Sequence, residues 1–554
     1  MAAMSKDTPK NESSECVTTD EPQDLHRLEL QRRSNRDDIA ELGLLPYGQR
    51  SDGLMSLADA HQAYNEAADV ANKESNQARK AAKRENPDGA DSDLPVVVDD
   101  RPRVKVAGRV VLARDNGKLI WLNLRDYSRD AFQLAVSKRD CDELGFALGK
   151  KLDIGDIVIA EGPLTMTNTG EVTCWVDSLI PASKCLIPPP EKHAGLTDTE
   201  LRYRQRYLDM WVNPETTRVF MLRSKMMQVL RRYLDQMDFV EVETPVLQTQ
   251  AGGAAARPFF THMNALGLDL SLRIAPELYL KRLLVGGMPR VYEVSRNFRN
   301  EGLDRSHNPE FTSLELYQAF GNYETMMEIT EGLIRELAVL AGAETGNEAQ
   351  SMPFGEIMID YACDFEKITY GKLFQDALGF EIDDIDRARE EAAKRGMKTK
   401  SEDGTPIADI FVINELFEAV AELKIDPARP TFVLDYPAAL SPLTRPKAGT
   451  LENPVPLAER WDLFIGGMEI GPAYTELNDP DIQEAKFREQ LAGVDDEEST
   501  FRNYDEDFIN ALKVGMPPAG GLGLGIDRLV MLMSNSRTIR DVLPFPMMRP
   551  QTNP

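Results

Sequence analysis

The chain has 554 residues, 64 basic against 91 acidic side chains, a net charge of −27 and 42% apolar residues, enough for a large core divided among two or three domains. With no run of eighteen apolar residues and no hydrophobic segment at its start, it is expected to be soluble and cytoplasmic. The acid excess excludes a nucleic-acid footprint over the whole surface but not a local basic patch, and five scattered cysteines without CxxC spacing suggest neither disulfides nor zinc.

Residues 1–22 are polar and charged, and are expected to form a disordered extension. Over 23–100 the pattern turns helical, with LELQRRSNRDDIAELG and then KESNQARKAAKR, before the linker NPDGADSD. The basic run of the second segment reads as a solvated helix face, with an RNA contact as the alternative. Between 101 and 187, VKVAGRVVL, KLIWLNLRD, AFQLAVS, DIVIAEGPL and EVTCWVDSL alternate apolar and polar residues between Gly, Asp and Asn turns. About five short strands of this kind suggest a small β-barrel, an oligonucleotide-binding fold being one option.

Pro188–Pro190 open a hinge over 188–210, and residues 211–554 form the largest expected domain. FMLRSKMMQVLRRYLDQM is an amphipathic helix that feeds VEVETPVL, where Pro245 demotes the segment to an edge or interface strand. The rest of the chain mixes strands and helices without a βαβ rhythm, which predicts α+β architecture, an antiparallel sheet flanked by helices. Residues from about 365 to 432 read as a helical insertion between its strands.

Four segments of this domain carry chemistry. In RNFRNE…HNPEF, alternation places Arg299 and Glu301 on one strand face, and Phe311, Ser313, Glu315 and Tyr317 on one face of the next strand. A guanidinium for phosphate or carboxylate, an aromatic for a base, and an acid–phenol pair for a cation thereby converge on one surface. In WDLFIGGMEIGPAYTEL, Gly466-Gly467 predicts a tight hairpin that makes Asp462 and Glu469 diagonal neighbours, two carboxylates suited to Mg²⁺ bound to substrate phosphates. Glu476 joins their face only if a bulge lies near Gly471-Pro472. GGLGLGIDRLVML brings backbone close to a ligand ahead of a helix whose first turn holds Asp527 and Arg528, and Gly252-Gly253 do the same ahead of Glu277. His262 reads as structural.

YRQRYLD, AGGAAARPF, LRIAPELYLKRL, RNFRNEG, HNPEFT, TELNDP and GLGIDRLVML occur in the order found in class II aminoacyl-tRNA synthetases, and the chain resembles the lysyl-tRNA synthetases in particular, from about Leu28 to Pro550. VETP resembles motif 1 of that class, RNFRNE to HNPEF motif 2, and GLGLGIDR motif 3. The class I signatures HIGH and KMSKS are absent.

The resemblance implies an OB-fold anticodon-binding domain, a class II catalytic domain, a homodimer, and the substrates L-lysine, ATP and tRNA(Lys), with Mg²⁺. It assigns Gly253 and Glu277 to the lysine α-amino group, and Arg299 to the lysine carboxylate and the ATP α-phosphate. Glu315, Tyr317 and Glu476 fall to the ε-ammonium, and Asn300, Glu301, His307 and Asn308 to ATP. Phe311 and Arg528 would enclose adenine, Arg299 and Arg528 would be the catalytic cations, and Asp462 and Glu469 the metal ligands, Glu469 also serving ATP. In the barrel, Trp121, Gln133 and Glu171 fall where the family reads a U-rich anticodon.

Three departures from the family pattern stand out. Pro472 replaces the usual Asn, Asp462 the usual Glu, and YSRDAF is one residue longer than expected before Gln133. The alternatives are a lysyl-adenylate-forming paralogue that modifies a protein, against which the barrel argues, and a non-catalytic RNA-binding regulatory relative, against which Arg299, Arg528, Asp462 and Glu469 argue.

Overall fold

The computed structural model describes residues 27–86, 95–188, 196–348, 350–401, 404–492 and 504–551, in two compact units that divide between residues 195 and 196. The extension expected over 1–22, most of the linker NPDGADSD and the Pro189–Pro190 part of the hinge lie outside the described residues.

In the first unit the alternating segments form strands Arg103–Asp115, Leu119–Arg125, Phe132–Ser137, Ile157–Met166, Val172–Val176 and Ser178–Ser183. There are six rather than five because EVTCWVDSL breaks at Asp177, whose N–H turns aside to Glu161 O at 2.8 Å. The first strand pairs with both the second and the fourth, which closes the barrel, and Phe132–Ser137 runs parallel to Val172–Val176. Period-two burial sends Ile120, Leu122 and Leu124 inward, leaving Trp121 and Asn123 on the outer face. Helix Glu66–Glu85 starts at an Asn65 cap and is pinned to the barrel by Asp69, which is 1% exposed. The Asp69 carboxylate accepts from Thr165 Oγ1 at 2.6 Å, Met166 N at 2.9 Å and Lys73 Nζ at 2.8 Å, which satisfies a buried charge.

The second unit is built on an eight-stranded sheet. Its strand order is Glu366–Thr369, Thr431–Leu434, Arg460–Ile465, Met468–Thr475, Ala519–Gly525, Glu310–Ala319, Arg290–Phe298, Val240–Glu241. The six central strands are mutually antiparallel and only the two edge strands run parallel to their neighbours. Helices Pro214–Asp235 and Tyr323–Thr345 cover one face, where Leu314, Leu316, Trp461, Leu522 and Leu524 are buried with them. Tyr323–Thr345 opens on a reciprocal Asn322/Thr325 cap and closes on Gly346 at φ 74°, a left-handed stop.

Three helices, Tyr370–Leu378, Ile385–Lys394 and Asp409–Leu416, fill the expected insertion and carry a separate apolar core between the edge strand and its neighbour. Pairing at the opposite edge lasts only two residues, Val240–Glu241, before Pro245. Beyond it a three-stranded sheet leaves Leu247, Phe260, Met263, Leu266 and Leu268 between 38% and 70% exposed. Among the described residues no helix is long and apolar enough to cross a membrane.

Candidate active site

The sheet face opposite the long helices lines a cavity of 420 Å³. Strand Glu310–Ala319 presents Phe311, Ser313, Glu315 and Tyr317 to it at the predicted spacing. Strand Arg290–Phe298, by contrast, ends before Arg299, so Arg299 and Glu301 reach the cavity from the loop rather than from a strand face. Arg299 stays in hairpin register all the same, its N–H donating to Pro309 O at 2.8 Å. Its guanidinium lies over the Phe311 ring at 5.0 Å, and its Nε is buried without an acceptor, a donor left for an anion.

On the neighbouring hairpin, Gly466 and Gly467 both have positive φ (65° and 74°), which is the two-residue turn their sequence predicts. The register slips by one at Ile470, so that Phe464 faces Glu469 while Leu463 faces Gly471. This extra residue restores parity: Glu469 before it and Pro472 and Tyr474 after it all line the cavity. Pro472, which has no N–H to offer the ladder, sits just past the slip, opposite Asp462.

The two acids of the hairpin are not equivalent. Glu469 faces the cavity, and its carboxyl is pushed up by burial and by the charge of Asp462. Asp462 is 4% exposed, and both its oxygens are held by Arg460, at 2.8 and 2.7 Å. Glu469 and phosphate oxygens would suit a hard cation such as Mg²⁺. Asp462 reaches such an ion only if Arg460 lets go, and among the described residues no group of three acidic, His or Cys side chains could hold a metal unaided.

The cation end of the cavity is strongly acidic. Glu315 is pushed up to about 8 by burial and by the charge of Glu277, and Tyr317, whose hydroxyl donates to Glu315 at 3.2 Å, is raised well above its ordinary value chiefly by burial. Gly253 has φ 86°, and a Cβ there would lie 3.1 Å from Glu277 Cβ, so only glycine brings backbone this close to that acid. Glu476 is fully buried behind the wall rather than lining the cavity. A Cβ on Gly521 would lie 1.9 Å from its Oε1 and 2.5 Å from Tyr317 Cε1, which explains this glycine of the GLGLG run.

At the other end, Arg528 donates to Glu469 O at 2.5 Å and contacts His307 Nε2 at 3.0 Å, while His307 Nδ1 meets Asp304 at 2.7 Å. Asn308 and Glu301 also line the cavity, whereas Asn300, exposed, donates its N–H to Arg257 O at 2.7 Å and does not. Asp527 serves the scaffold, taking Arg223 Nη1 at 2.5 Å and the Thr312 N–H at 2.8 Å. His262, as expected, lies outside the cavity, paired with Asp269 at 2.7 Å.

Sequence reading missed three side chains near this site. Arg460 compensates Asp462 and stacks on Tyr436 at 4.4 Å. Lys281 pairs with two acids of the site, Glu277 and Glu476. Glu422, from the insertion, is raised to about 7 by burial and by the charges of Glu418, Glu469 and Asp462. The i, i+4 spacing of Glu277 and Lys281 and the i, i+2 spacing of Arg460 and Asp462 were legible signals; the Glu422 contact depends on tertiary packing.

In the barrel unit, cross-strand register builds a second surface. Trp121, Ala135 and Trp175 form one row, and Asn123, Gln133 and Thr173 the next. The two indoles meet edge to face at 6.3 Å, and Gln133 Oε1 accepts from Thr173 at 2.7 Å. These rows line a groove of 1130 Å³ together with Lys73, Asn76, Gln77 and Lys80 of helix Glu66–Glu85, so part of the basic run is groove wall. Glu171 is exposed in the turn before Val172 and does not line the groove. Trp175 shares the period-two face of Thr173 and was not singled out from sequence.

Residues 198–549 match the model of the class II tRNA synthetases (D, K and N), and residues 104–182 that of the OB-fold nucleic acid binding domain. A lysine–tRNA ligase of Carboxydothermus hydrogenoformans is 46% identical over 450 residues, covering 81% of this chain and 89% of its own. Those of Pseudomonas putida (44% over 455 residues) and Cronobacter sakazakii (45% over 454 residues) each cover 81% of the chain and 86% of their own length.

Proposed function

The chain belongs to the lysine–tRNA ligases, class II synthetases with an OB-fold domain, and from that premise we propose that its 420 Å³ cavity activates L-lysine with ATP for transfer to the 3′ end of tRNA(Lys). One observation carries the reading: a buried arginine donor without an acceptor sits between an aromatic face and a cluster of buried acids. A dipolar ligand with cationic ends suits that arrangement.

Lysine would lie with its α-ammonium at Gly253 and Glu277, its ε-ammonium toward Glu315 and Tyr317, and its carboxylate on Arg299. The carboxylate oxygen bonds to the α-phosphorus of ATP while the bond to the β-phosphate oxygen breaks, and pyrophosphate leaves. A ribose hydroxyl of the tRNA then attacks the acyl carbon, and AMP leaves.

No protein nucleophile is required, so the residues act by positioning and charge. Arg299 would bridge carboxylate and α-phosphate, and Phe311 and Arg528 would flank adenine. His307, Asn308 and Glu301 would hold the rest of the nucleotide, and Asn300 would need a loop movement to join them. Glu469 would hold Mg²⁺ with the phosphates, the ion adding positive charge where the leaving group gains negative charge.

Selectivity follows from buried acids. A ligand without the ε-ammonium leaves Glu315 unpaired, a penalty that reaches about 10⁴-fold where polar recognition is built in. The outer groove with Trp121 and Gln133 would take the anticodon, its indole stacking a base. That groove favours tRNA over a protein acceptor.

The exposed apolar strands between 247 and 268 are the surface on which we place a homodimer contact, and we place the protein in the cytoplasm. ATP–pyrophosphate exchange across the twenty amino acids tests the reading. Exchange with lysine alone supports it; exchange with another amino acid overturns the lysine assignment, and none at all, even with tRNA present, overturns catalysis.

A further inference from the structure

Lys281 lies on the helix Glu277–Val285, fully buried, with its ammonium 2.6 Å from Glu277 Oε1 and 2.5 Å from Glu476 Oε2. The ammonium hydrogen-bonds Glu277 Oε1 but meets Glu476 Oε2 only as an ion pair; neither Glu476 oxygen has a hydrogen-bond donor, and Oε1 is left uncommitted. Glu277 lines the cavity and Glu476 backs it. Resting on the lysine-activation reading above, we propose that Lys281 is a positioning residue that sets amino-acid affinity by orienting Glu277 and by holding Glu476 ionised and in place.

Charge counting gives the reason. Glu277, Glu315 and Glu476 contribute three negative charges, and Lys281 and Arg299 two positive ones. The buried Glu293 opposite Glu315 is already neutralised by Arg273 at 2.6 Å. Once a bound ammonium has ionised Glu315, the pocket therefore carries one net negative charge, which matches the net single positive charge of lysine with two ammoniums and one carboxylate.

Remove Lys281, and the fully buried Glu476 carboxyl faces Glu277 with no cation beside it. It would sooner take up a proton than remain charged, and a protonated acid holds an ammonium poorly. Burial already pushes the Glu476 carboxyl up, with only Lys281 opposing. The effect of Lys281 on substrate runs through these acids, so Lys281 itself touches no reacting atom.

The test is ATP–pyrophosphate exchange with Lys281→Met, Glu476→Gln and the double variant, reading KM for lysine and for ATP separately. Lys281→Met is expected to raise KM for lysine roughly tenfold or more, the loss of a hydrogen bond to a charged group, and to leave KM for ATP within about twofold. Glu476→Gln is expected to cost about tenfold in the natural background but under about twofold in the Lys281→Met background, because the acid has already lost its charge there. Equal changes in both KM values, an unchanged KM for lysine, or additive costs in the double variant would overturn the proposal. Should Lys281→Met not fold, Glu476→Gln is compared with the double variant, which drops the acid and the cation together. Equal lysine KM values support the proposal and a further loss of about tenfold overturns it. Exchange with lysine by the unaltered protein is measured first; if it fails, the activation reading fails before this one is reached.

Discussion

Lysine binding is expected to expel a proton, because the acid proposed to meet the ε-ammonium is protonated while the cavity is empty. Glu315 titrates at about 8, raised by burial and by Glu277. A carboxyl with that value is roughly nine-tenths protonated at pH 7. An ammonium beside it demands the ionised form, so about 0.9 proton leaves for each lysine bound at pH 7. Below 8 acid therefore competes with the substrate, and affinity falls as pH falls, by roughly 16-fold between pH 8 and 6.5.

Calorimetry at pH 7 in buffers of different ionisation enthalpy counts the protons, and exchange kinetics between pH 6.5 and 8 gives the slope in KM for lysine. Glu315→Gln should weaken lysine binding by about 30-fold or more and flatten the slope, since the amide has no proton to lose. Flat KM values in the unaltered protein, or a slope that survives Glu315→Gln, would refute the reasoning by placing the titrating group elsewhere. The same acid links stability to pH. Its folded value lies above its unfolded one, so it contributes most stability below about 4.5 and loses it as pH rises through about 8.

Three further outcomes can be checked. Gly521→Ala puts a methyl 1.9 Å from Glu476 Oε1 and should raise KM for lysine by about tenfold or more in exchange assays, with a lower melting temperature. Asp462→Asn strips the partner from a buried guanidinium held by two hydrogen bonds, and denaturant titration should record a loss of about 3 kcal/mol. Alanine at Trp121 or Trp175 should raise KM for tRNA(Lys) in charging by about 5- to 150-fold, the worth of one stacked base, while leaving lysine-dependent pyrophosphate exchange unchanged.

Much of this architecture was legible because periodicity survives folding. The alternation of Phe311, Ser313, Glu315 and Tyr317 specified one sheet face, and Gly466-Gly467 specified a hairpin turn with both residues at positive φ. Parity allowed Glu476 onto the face of Glu469 only through a bulge near Gly471-Pro472; a bulge is present at Ile470, yet Glu476 does not line the cavity. Hidden from the sequence were contacts made across distant segments. Alternation could not reveal that Glu476 would turn away from the cavity toward Lys281, 195 positions earlier, whereas Arg460 and Asp462 share a strand face two residues apart and their pairing was open to it. Arg299 and Glu301 were misplaced for a smaller reason: the strand ends at Phe298, before either of them.

The strand Ala519–Gly525 pairs with Glu310–Ala319 on one side and Met468–Thr475 on the other, so the middle of the sheet is supplied by nearly the last part of the chain. During synthesis Tyr317 must therefore wait some 200 residues for its partner Gly521, about 10–40 s at ordinary elongation rates. Through that interval the strand bearing Glu315 and Tyr317 has an open edge, and the cavity lacks the wall that Gly523, Gly525 and Arg528 complete. A nascent chain can thus close its barrel early yet has no finished cavity until it is almost complete, which leaves the unpaired edge exposed to other chains for the same time.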